Sequence, residues 1–101
     1  MAKNNGNNGS LGDVPTSLEN LVTQMKQEVK GIGHVRRTQC WNQLGKKPYK
    51  VKALMHGTES RGCELHIRSQ NKTYVFMVIA NSRDPLYVQR DVEEFVRTRY
   101  S

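Results

Sequence analysis

The chain has 101 residues, sixteen Lys or Arg against nine Asp or Glu, a formal net charge of +7 and a hydrophobic fraction of 36%. That length suits one domain with a modest core. No apolar run approaches the ~20 residues of a membrane span and no signal peptide is recognisable, so a soluble protein of the cytoplasm or nucleus is expected.

Residues 1–12 are rich in Asn and Gly around a lone Leu11. Such a segment buries too little apolar area to offset the entropy of ordering it, which predicts a flexible tail followed by one domain over residues 13–101. Pro15 to Lys30 is the first predicted helix. Leu18, Leu21, Val22, Met25 and Val29 form one apolar stripe at helical spacing. Thr16 with Glu19 reads as a capping box, and Gly31 and Gly33 stop the helix.

His34 to Trp41 reads as a strand or extended loop with Val35 and Trp41 facing inward, and Leu44 to Pro48 is turn-like. In the segment from Tyr49 to His56, Tyr49, Val51, Ala53 and Met55 alternate against Lys50, Lys52 and His56, with Leu54 the exception. A hairpin loop is expected from Gly57 to Gly62. Cys63, Leu65 and Ile67 then alternate with Glu64, His66 and Arg68, and Ser69 to Lys72 makes a second turn. Tyr74 to Ala80 is an unbroken apolar run, the signature of a strand in the middle of a sheet. Asp84 and Pro85 open a last helix on which Val88, Val92, Phe95 and Val96 share a face.

Helix, three or four antiparallel strands, then helix gives an α+β two-layer sandwich, because the turns are short and no helix crosses over between strands. Both helices can cover one face. The other is left open, with Lys50, Lys52, His66 and Arg68 as candidate occupants.

Charge is segregated along the chain. From Val29 to Thr58 there are seven basic residues (Lys30, Arg36, Arg37, Lys46, Lys47, Lys50 and Lys52) and no acidic one, while the other nine basic residues match the nine acidic ones. Solubility alone does not require that segregation, whereas docking to a polyanion does. Arg36, Arg37, Lys46, Lys47, Lys50, Lys52 and Arg68 are therefore candidate contacts. Trp41 and Tyr49 have two readings, as core residues or as platforms on which bases stack between the charges.

Catalytic motifs are lacking: there is no glycine-rich phosphate loop, no nucleophile elbow and no Cys-x-x-Cys. Cys63 and His66 are three apart, a spacing that sends them to opposite faces of a strand and prevents shared metal ligation. Cys40 and Cys63 read as two buried free thiols. A non-enzymatic protein without cofactor or metal is expected, monomeric or homodimeric.

The element order is similar in outline to double-stranded-RNA-binding domains and to the small Alu-binding subunits of the signal recognition particle. Asp84 to Arg90 stands where the former carry a lysine- and alanine-rich segment. Over residues 16–100 the chain also resembles the kinase-associated C-terminal domain of AMP-activated and related protein kinases. The resemblance lies in Cys40 to Tyr49 as the first strand region, Cys63 to Ile67, the apolar strand from Tyr74 to Ile79, and the helix from Pro85 to Arg99. It implies a module that binds anionic phospholipid head groups or a kinase regulatory surface. Three readings follow: nucleic acid (RNA before sequence-specific DNA, since neither helix has a basic reading face) bound through residues 30–52, an anionic membrane surface or kinase, or an acidic protein partner.

Overall fold

The computed structural model describes residues 14–42 and 46–100, so the expected tail, the Leu44–Gly45 part of the expected turn and Ser101 lie outside the described residues. Six elements follow in order: α1 (Thr16–Glu28), β1 (Ile32–Trp41), β2 (Tyr49–His56), β3 (Glu59–Ser69), β4 (Lys72–Ala80) and α2 (Pro85–Tyr100). The strands form one antiparallel sheet in the order β1-β4-β3-β2. The α+β arrangement expected from the hairpins is therefore present, and the apolar run of β4 is an inner strand.

Both helices pack on one face of the sheet, α1 over β1 and α2 mainly over β2 and β3. The core interleaves the two layers. Leu18, Val22 and Met25 of α1 and Val88, Val92, Phe95 and Val96 of α2 meet Cys63, Leu65 and Ile67 of β3 and Tyr74, Phe76 and Val78 of β4. Burying one large apolar side chain of this kind contributes about 1.5–3 kcal/mol, so this layer supplies most of the stability.

The helix starts differ from one another. Asp84 caps α2, its Oδ1 accepting the Leu86 amide at 2.9 Å with Pro85 in the first helical position. The capping box read at Thr16 does not form. Pro15 is the cap residue of α1 and no side chain bonds there, while the Pro15 carbonyl accepts the amides of Leu18 and Glu19. A backbone carbonyl already occupies those donors, leaving the Thr16 hydroxyl no role.

The hairpins are tighter than expected. β3 begins at Glu59, so Gly57 and Thr58 alone turn the chain and Arg61 and Gly62 belong to the strand. At the second turn Gln70 and Asn71 both have positive φ (54° and 66°), the primed geometry that matches the natural twist of a two-residue hairpin.

Arg83 ties the two ends of the helical layer together. Its guanidinium donates to the Lys30 carbonyl (3.2 Å) and to Asp91 Oδ2 (2.7 Å), and the Asn81 amide donates to the Gly31 carbonyl. Gly31 has φ +90°, and a Cβ there would stand 2.5 Å from Arg83 Cβ, so glycine is required for this close approach. No described helix is long and apolar enough to cross a membrane.

Candidate nucleic-acid interface

The face of the sheet away from the helices is defined by register. Antiparallel partners share a face, so the rows across the sheet can be read directly from the pairing. Trp41, Thr73 and Arg68 form one row and Gln39, Val75, His66 and Lys50 the next. Arg36, Met77, Glu64 and Lys52 follow, then His34, Ile79, Gly62 and Leu54. Positive charge therefore collects at the end where β1 stops and β2 starts, while the far end is apolar or neutral.

The connection between β1 and β2 reinforces this. The consecutive strands β1 and β2 sit at opposite edges of the sheet, three inter-strand spacings or about 14 Å apart. Lys46, Lys47 and Pro48 come from this connection, and the Pro48 carbonyl accepts the Arg68 amide at 3.0 Å, joining the connection to β3.

A hollow of about 620 Å³ lies at this end. Trp41, Pro48 and Ile67 supply apolar wall, Lys46, Lys47, Lys50, Lys52 and Arg68 supply charge, and Thr73, His66 and Tyr49 complete it. None of its lining residues is acidic among the described residues. The Arg–carboxylate bridges among the described residues (Arg83–Asp91, Arg97–Glu94 and Arg99–Glu28) belong to the helical layer. No salt bridge of Lys46, Lys47, Lys50 or Lys52 occurs among the described residues. The two nearby carboxylates leave them largely uncompensated. Glu64 lies opposite Lys52 in register but accepts a hydrogen bond from His66 Nε2 at 3.0 Å, and Glu93 shares a separate small hollow with Lys47 and Lys50 on the helix side.

Trp41 is corrected from inward to outward. The register slips between Arg37 and Gln39, which aligns Trp41 with Thr73 on the open face. Its ring stands 5.7 Å from that of His66 at 58°, an attractive tilted contact, and 39% of the residue is exposed. Tyr49 goes the other way. Strand alternation puts its ring toward α2, 6.5 Å from Tyr100, so it borders the hollow without being an open platform.

The seven segment cations also divide. Lys46, Lys47, Lys50 and Lys52 gather at the hollow, and Arg36 stands on the same face one row further along. Arg37, paired with Phe76, lies on the helix face, and Lys30 lies in the turn after α1. Arg68 joins the group from outside the segment. Thr73 and Pro48 were not candidates from sequence, because the apolar run of β4 hid its alternation and Pro48 read only as a turn former.

Cys63 is buried under α2 and Cys40 is exposed, which corrects the expectation of two buried thiols; both are free. Cys63 and His66 do lie on opposite faces, as their spacing requires. The described residues contain no group of three His, Cys, Asp or Glu side chains placed to hold a metal ion. The arrangement can neutralise several phosphates and offer one aromatic surface. No protein-family model matches the chain, and comparison with curated proteins and with solved structures finds no match either.

Proposed function

We propose that this protein is a non-enzymatic RNA-binding module that receives its ligand on the open face of the sheet. One observation carries the reading: four lysines drawn from a single acid-free segment converge on a hollow that Trp41 walls and that no carboxylate lines among the described residues. Like charges held together cost stability unless an anion is present to relieve them. The phosphate contacts assigned are Arg36, Lys46, Lys47, Lys50, Lys52 and Arg68, while Arg37 and Lys30 are left out because they lie elsewhere.

Gel shifts with single- and double-stranded RNA and DNA test this directly. RNA is expected to shift at low micromolar protein or better in moderate salt, and Lys46→Glu/Lys47→Glu/Lys50→Glu/Lys52→Glu is expected to abolish the shift. Since all four are exposed, the variant should unfold at a temperature close to the parent's. Retention on phosphatidylserine vesicles without an RNA shift would favour a lipid surface and contradict the proposal. Capture of an acidic protein that survives nuclease and lipid removal, again without an RNA shift, would contradict it equally.

A further inference from the structure

We infer that the hollow beside Trp41 is a pocket for one unpaired base, so that the ligand is a single-stranded segment and not a duplex. This rests on the reading of the open face as an RNA interface and narrows it. Phosphate neutralisation alone needs cations spaced along the backbone and no aromatic side chain. Here the lysines surround a concavity of about 620 Å³, within the ~300–1,000 Å³ of pockets that enclose small organic ligands.

Trp41, Pro48 and Ile67 give this concavity apolar wall beside its charged residues. Thr73, on the inner strand β4, is 6% exposed, whereas Trp41, its register partner on β1, is 39% exposed. Trp41 is thus a large aromatic left partly exposed at the hollow. Its contact with His66 is tilted at 58° and not stacked, and the ring borders the hollow, where a planar group can lie. A base in a duplex has both faces occupied by its stacked neighbours and cannot enter, whereas an unpaired base can be splayed out onto an aromatic ring. Lys50 and Lys52, two residues apart on β2 and facing the hollow, are placed to hold the phosphates flanking such a base.

Trp41 is the only tryptophan in the chain, so its fluorescence reports on this pocket alone. The full chain would be titrated with oligouridylate and oligoadenylate of about 8–12 nucleotides, with an RNA duplex of the same length, and with phosphatidylserine vesicles. Saturable emission change is expected with the single strands, at lower concentration than with the duplex. Trp41→Ala is expected to weaken single-strand binding by roughly 5- to 150-fold while leaving the slope of log affinity against log salt unchanged, because no phosphate contact is lost. Trp41→Phe should keep most of the affinity.

Equal affinity for duplex and single strand, or wild-type affinity in Trp41→Ala, overturns the base pocket. If the lysine substitutions still abolish RNA binding in either case, the broader reading stands. Absence of any nucleic-acid binding, with or without a response to vesicles, removes both. The wild-type emission arm does not depend on any variant folding.

Discussion

Cys63 and Cys40 show how position on a strand decides chemistry. Cys63 is fully buried, and its thiol is pushed up to about 12, first by burial and then by the Glu93 carboxylate. Cys40 is exposed on the edge strand. An aromatic disulfide reagent should therefore titrate one thiol quickly in the native protein and the second only on unfolding, with Cys40→Ser removing the fast phase. The same burial gives a pH dependence. With the ordinary value at 9.0 and the folded value near 12, the unfolded chain loses the proton first, so folding stability is intact below pH 9 and falls between pH 9 and 12. The slope from this group is at most about 1.4 kcal/mol per pH unit. Tyr100, also raised by burial, acts in the same direction. Chemical denaturation across that range should show the fall, and Cys63→Ala should flatten it.

Among the elements, the two helix starts make the clearest contrast. Asp84→Ala removes a side-chain cap and should cost about 1 kcal/mol, whereas Thr16→Ala removes none and should stay within about 0.5 kcal/mol of the parent. Thermal unfolding of the two variants checks both, and a larger loss at Thr16 would restore the capping box. Sequence made α2 and the alternation of β2 and β3 legible, because Val88, Val92, Phe95 and Val96 keep one helical period and Cys63, Leu65 and Ile67 keep a period of two. β1 was far less legible. It is an edge strand with a single buried residue, Val35, and the register slip after Arg37 reverses the alternation by which Trp41 looked inward. Tyr49 was ambiguous for the opposite reason, since an aromatic at the mouth of a hollow borders both layers. The strand order could not be read either, because nothing local in residues 42–48 announces a crossing from one edge of the sheet to the other.

At the scale of the whole molecule the charges sort by layer. Arginines of the helical layer pair with Asp91, Glu94 and Glu28, while the lysines of the β1–β2 connection and β2 face a hollow without acidic lining among the described residues. Five of the seven segment cations (Arg36, Lys46, Lys47, Lys50 and Lys52), joined by Arg68, therefore gather on one side, while Arg37 and Lys30 lie elsewhere. The measurement that bears most directly on this account is RNA affinity as a function of salt. Six phosphate contacts predict a log–log slope of about −4 on a single strand or about −5 on a duplex, and loss of Lys50 and Lys52 together should make it shallower by about 1.5. A slope near zero, or one that Lys50→Ala/Lys52→Ala leaves unchanged, would contradict it.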